Sequence, residues 1–174
     1  RLKTEFEATL QERVHRSLAL KPQVIVPVNH FTSVSAEALH LFRDGYFYGV
    51  ISLTQSVVEA LARFMCEKDG LRVSKSFKTN VGRLNSIGAD TKEKFLEIWG
   101  GKGHRNSYHH LNKDVERDRE KLEKLAMQNV ILLSEIEQKV FAADIKEGKL
   151  QSFKNPQYWD IDGRGKARVY LRID

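Results

Sequence analysis

Arg105, Asn106, His109 and His110 fall within six residues, behind the glycine-rich approach Gly100-Gly101-Lys102-Gly103. A guanidinium offers a phosphoryl group a rigid fork of donors and stays charged at neutral pH. An imidazole is the side chain best placed to move protons there. Phosphodiester cleavage can use both, one stabilising charge on the non-bridging oxygens and the other transferring a proton at the nucleophile or leaving group. The glycines free the backbone to turn and let a phosphate-sized group come close. On a helix begun after Gly103, Arg105 and His109 are four apart, as are Asn106 and His110, so each pair can share a face. Arg105 and His110, five apart, stand about 140° from each other around the axis. A ligand used by both lies across the helix, or the partner groups come from a second helix.

The elements that must position this stretch can be read from apolar periodicity. Phe47, Val50, Ile51, Val57, Val58, Leu61 and Met65 give the strongest pattern and predict a helix over 46–66. Thr54 and Gln55 interrupt it, either at a helix contact or at the active cleft. Leu2, Phe6, Leu10, Val14 and Leu18 recur every four residues and predict an N-terminal helix. Arg13, His15 and Arg16 are expected on its solvated face, with phosphate binding the alternative. Pro22 and Pro27 bracket an extended or turn segment. A further helix is expected after Ser33 as N-cap, ending at Asp44-Gly45. Phe77, Val81, Leu84 and Ile87 suggest a short helix ending near Gly88. Asp90 to Glu93 resembles an N-terminal capping arrangement for a helix whose buried side is Phe95, Leu96, Ile98 and Trp99.

Beyond the motif, Tyr108, Leu111 and Val115 form an inward stripe. A long helix is expected from about Asp114 through Val140 and Phe141, closed by Gly148. Pro156, Gly163 and Gly165 then mark an extended tail, with a hairpin of 158–161 across the turn 162–165. The reading is a helical domain over 1–153 and an extended tail or small hairpin over 154–174.

The sequence resembles the HEPN superfamily. Its ribonuclease members carry an Arg, usually followed by a polar residue, then a His after a spacer of four to six residues. Arg105, Asn106 and His110 are the matching positions in the short-spacer form, and Trp99 and the apolar helix 46–65 are similar too. The resemblance covers residues 34 to 147. It implies an all-α, compact helical bundle with a short extended C-terminal segment. It also implies a homodimer in which two motifs face each other. Many members are metal-independent ribonucleases acting as toxins, antiviral effectors or RNA-processing enzymes, and others have no catalytic activity. On this reading the chain is an endoribonuclease that uses the RNA 2'-hydroxyl as nucleophile. His110 transfers the proton, Arg105 stabilises the phosphorane-like transition state, Asn106 orients the phosphate or His110, and His109 assists. The alternative is an inactive HEPN-like module that binds nucleic acid or a protein. An antitoxin or other regulatory protein is a further expected partner.

Composition sets wider bounds. The chain has 174 residues, enough for one domain with a real core. An excess of 29 Lys and Arg over 23 Asp and Glu gives +6 and suits an anionic partner such as RNA. Arg72, Lys75 and Lys78, within a basic run from Lys68 to Arg83, and Lys102 in the approach are the expected RNA-backbone contacts, an ordinary charged surface being the alternative. Tyr46, Tyr48 and Trp99 either pack or stack on bases. Cys66 is the only cysteine, which excludes an intramolecular disulfide framework and a thiolate metal cluster. No metal site and no cofactor are expected. No apolar run reaches eighteen residues, so no membrane span is expected, and the expected location is cytoplasmic.

Overall fold

Helix α3, Phe47–Lys68, is the axle of the molecule: α2 (Thr32–Asp44), α4 (Phe77–Arg83), α5 (Ala89–Trp99), α6 (His104–His110) and α7 (Arg119–Val140) all pack against it. The computed structural model describes residues 2–22, 24–100, 104–147 and 149–172. Among them helix accounts for 61%, in seven segments, the remaining one being α1 (Leu2–Leu18). The protein is largely helical with a minor β component.

Burial follows the apolar periodicity that marks α3. Val50, Thr54, Val58, Leu61 and Met65 are fully buried, each returning after three or four residues to the same broad face. Its C-terminal half packs with Val81, Leu84, Phe95, Ile98, Leu133, Ile136 and Phe141. Its N-terminal half meets Leu39, Phe42, Tyr108, Leu122, Ala126 and Val130. Thr54 lies at a helix contact: it is buried and accepts a 3.1 Å hydrogen bond from Asn129 Nδ2 of α7. The chain enters α3 through Gly45, whose φ of +83° favours glycine and ends α2. Ser33 lies inside α2 rather than capping it.

Several elements differ from their sequence expectation, each for a physical reason. The long C-terminal helix starts later and stops sooner. Asp118 caps it by accepting from Lys121 N at 3.0 Å, and Asn155 Nδ2 donates to the free carbonyls of Lys139 and Val140 at its end. The chain then forms an antiparallel pair, β2 (Ala143–Lys146) with β3 (Lys149–Phe153). Gly148, expected to end the helix, lies outside the described residues. Helix α4 ends at Arg83, so Leu84 and Ile87 enter the core from a loop. Helix α5 begins at Gly88 without a side-chain cap.

The extended tail does not stand apart from the helices. Strand β4 (Val169–Leu171) pairs antiparallel with β1 (Ile25–Pro27), joining Ile25 to Leu171 across almost the whole chain. Ile161 and Ala167 bridge the expected turn. A 3-10 turn, Pro156–Tyr158, places Tyr158 and Trp159 in the core. Tyr158 donates to both Asp69 oxygens at 2.9 Å at the end of α3, with Ser86 Oγ 2.6 Å from its hydroxyl. Beyond β4, Arg172 is sealed against Glu137 of α7 by bonds of 2.6 and 2.8 Å, and Ser35 of α2 completes the cluster at 2.8 Å from each.

Helix α1 inverts the expectation. Phe6, Leu10, Val14 and Leu18 are 48, 42, 48 and 78% exposed, whereas Arg16 is only 5% exposed. Arg16 binds Glu123 at 2.7 Å and Glu12 at 3.0 Å, with its guanidinium over the Phe47 ring. Two carboxylates and an aromatic face offset the cost of desolvating the cation. The ion pair, rather than the apolar row, therefore holds α1 to the bundle.

Candidate functional site

Helix α6 brings the motif to the side of α3. Its first turn is fixed by Arg105, whose Nη2 lies 2.8 Å from Glu59 Oε2 of α3. Its last turn is fixed by Tyr108, buried against Tyr48 with ring centroids 6.1 Å apart. Ser107 donates to Asp114 at 2.8 Å, tying the helix to the turn that follows. Leu111, with a φ of +50° that a leucine rarely adopts, ends the helix directly after His110. The bond from Asn112 N to Ser107 O completes that end. Leu111 is thus an exposed helix terminus rather than part of an inward stripe.

Glu59 grips two cations. Its Oε1 accepts from Arg63 Nη2 at 2.7 Å while its Oε2 takes Arg105. The trio carries a formal charge of +1, from two guanidiniums and one carboxylate. Glu59 is largely covered, Arg105 about a third exposed and Arg63 about half exposed. Arg105 Nε is buried with no hydrogen-bond partner, so the bridge to Glu59 and not its inner edge fixes the guanidinium.

His109, one turn beyond Arg105, shares this field. Burial lowers its pKa below the ordinary imidazole value, the Arg105 cation lowers it further, Glu59 opposes the shift, and His110 adds to it. The shift favours the neutral imidazole, the form that can accept a proton. His110 is exposed and enters the cluster through its coupling to His109. Asn106 is exposed on the adjoining face. The structure thus joins Arg105 to two residues of α3, while Asn106, His109 and His110 are exposed beside that group, His109 within the field of its charges.

Compared with known proteins, the chain matches no family model, no curated protein and no solved structure.

The remaining expected contacts are dispersed. Arg72, Lys75 and Lys78 are exposed on the loop and helix beyond the C-terminal end of α3. Lys102 lies outside the described residues. Trp99 stacks on Phe77 at 5.1 Å and 12°, partly buried against the core. Among the described residues no group of three or more His, Cys, Asp or Glu side chains is placed to hold a metal ion, and no helix is long and apolar enough to cross a membrane.

Arg105 and Arg63 are partly exposed, so the cluster reaches the surface. A cleft of about 290 Å³ beside α6 is lined by Ser107, Tyr108, Asp114 and Glu116, without Arg105 or His109. A larger one, about 760 Å³, lies between α1 and the start of α7, around Arg16 and Arg119. It holds none of the motif residues. Glu59 and Arg63 were not among the expected site residues. Their signal is a Glu followed four residues later by an Arg within an otherwise apolar helix, a spacing that pairs them on one face.

Proposed function

We propose that the protein is a HEPN-like endoribonuclease that cleaves RNA by attack of the 2'-hydroxyl on the adjacent phosphorus. One observation carries the reading: two arginines held by one glutamate, net +1, with a neutral imidazole one helical turn away. A phosphodiester carries one negative charge, so the trio matches it while Glu59 fixes where the guanidiniums stand. Arg105 stabilises the charge that grows on the non-bridging oxygens. The His109–His110 pair handles the protons: His109, as base, takes one from the 2'-hydroxyl, and His110, at the exposed edge, relays one to the departing 5'-oxygen. The products are a 2',3'-cyclic phosphate and a free 5'-hydroxyl.

A second reading has its own support. Glu59 already occupies Arg105, as a purely structural ion pair would, and this favours an inactive binding module. A short RNA and its counterpart with a single 2'-deoxy substitution at the scissile nucleotide separate the two. The ribonuclease reading expects a cyclic phosphate by mass spectrometry from the first and an uncut second oligonucleotide that still binds. Efficient cleavage at the substituted position would reject internal attack.

A further inference from the structure

We propose that the outward row Phe6, Leu10, Val14 and Leu18 of α1 is the face on which a second copy of this chain docks, row against row. The resemblance already implies a homodimer; the docking face is the new element, and it rests on α1, which lies outside residues 34–147.

Every described side chain from Lys3 to Glu12 is exposed, so the first half of α1 projects without burial against its own chain. A lone helix shorter than about 12–15 residues is marginal in water, because packing of an apolar face supplies most helical stability. Here that face exists and is uncovered. An ion pair of Lys3 with Glu7 at 3.8 Å and the Arg13 guanidinium over the Phe6 ring are its own-chain supports, both at the surface.

The spacing identifies the occupant. Four residues at strict intervals of four form a single i±4n ridge, and two such ridges interdigitate when helices cross at about −50°. A ridge of this kind is complementary to its own copy. The row itself, with Arg13, Ser17 and Arg43, lines a groove of about 400 Å³ that can receive the opposing side chains.

Area supports the same occupant. From their fractional exposure the four side chains present roughly 400 Å² of apolar surface, on the scale of the largest patch a monomer normally shows. With interfaces about 56–65% apolar, that core plus its polar rim approaches the ~800 Å² per partner of a standard dimer. The rim opposes self-association only weakly. Arg13 and Arg43 share Asp44, at 2.8 and 3.2 Å, which leaves that trio a formal +1, and Lys3 is paired with Glu7. A helix built to lie on an anionic membrane would instead leave its basic residues uncompensated.

The test is sedimentation of the full chain. Wild type is expected at twice the 20.0 kDa of one chain, and Leu10→Glu/Val14→Glu at the single mass, losing no more far-UV circular dichroism than the first half of α1 contributes. A Leu10→Cys/Val14→Cys variant is expected to give a cross-linked pair on oxidation, whereas the native Cys66 is buried and gives none. A wild-type monomer at about 100 µM, far above a micromolar Kd, overturns the proposal. So does a dimer that survives Leu10→Glu/Val14→Glu, or a monomer that floats with phosphatidylserine-containing vesicles.

Discussion

Glu137 and Glu59 each hold an arginine brought from a distant part of the chain, and their surroundings set them apart. Glu137 and Arg172 are 2 and 3% exposed, bound to each other twice and closed by Ser35. Glu59 holds Arg105 and Arg63 at a surface, with a spare positive charge and an imidazole in the same field. The first cluster has its charge balanced and no room for an anion, so its role is to lock the tail across α2 and α7. The second has charge and access left over. An ion pair alone says nothing about function; what distinguishes these is the unspent cation and the neighbouring proton acceptor.

The comparison breaks first at its arginines. Arg105→Ala is expected to slow RNA cleavage by about 10²–10³-fold, the scale of removing one transition-state donor, with a modest change in stability. Single-turnover kinetics measures it, and an unchanged rate would remove Arg105 from the chemistry. Exhaustive chelation of wild type is expected to leave the rate unchanged. Arg172→Ala should do the reverse, costing about 3–5 kcal/mol by leaving Glu137 buried and unpaired. Urea unfolding reports it. Replacing both partners by apolar residues, as in Glu137→Leu/Arg172→Met, should recover most of that loss.

A subtler change sharpens the difference. Glu59→Gln removes the one negative charge that opposes the downward shift of His109, so the imidazole should titrate lower still, as read by NMR. The freed guanidiniums should bind RNA a few-fold more tightly at low salt while turnover falls, because Arg105 is no longer held in place. Unaltered RNA affinity would show that the cluster does not meet the backbone. In wild type the rate should rise with pH through a value below 6.5 and level off by neutrality, since the deprotonated imidazole is the active form.

The smallest expected effect lies at the tail. Burial, partly offset by the Ser86 hydroxyl and reinforced by Asp69, pushes the Tyr158 phenol up to about 12. Its folded value exceeds its unfolded one, so the contribution is whole below about pH 10 and is lost as pH rises from there towards 12. Tyr158→Phe should flatten that alkaline decline in thermal unfolding and leave the acid side unchanged.

Much of the helical frame was legible in the sequence, because burial along α3 and α5 repeats at helical intervals in Val50, Leu61, Phe95 and Ile98 and needs only local order. The helix after the glycine approach was legible for the same reason. What escaped is what depends on pairing across the chain. The bridge from Arg105 to Glu59 joins residues that nothing local connects, and it shifts the weight of the site towards His109. The inversion of α1 escaped because a buried arginine and an exposed leucine row oppose hydropathy, and only Glu123 and the Phe47 ring make that arrangement stable. The end of α7 at Val140 depends on Asn155, which returns from beyond a strand pair to bind its last carbonyls.

The seal made by Arg172 also sets an order of assembly. Helix contacts close short loops, whereas the bond from Arg172 to Ser35 spans 137 positions and carries the larger loop-closure entropy. The helices can associate first, leaving the places of Tyr158 and Trp159 unfilled until the segment 156–172 arrives. A chain still being synthesised would therefore hold Glu137 unpaired and the underside of α3 uncovered. Arrival of that segment turns a loose set of helices into a finished core.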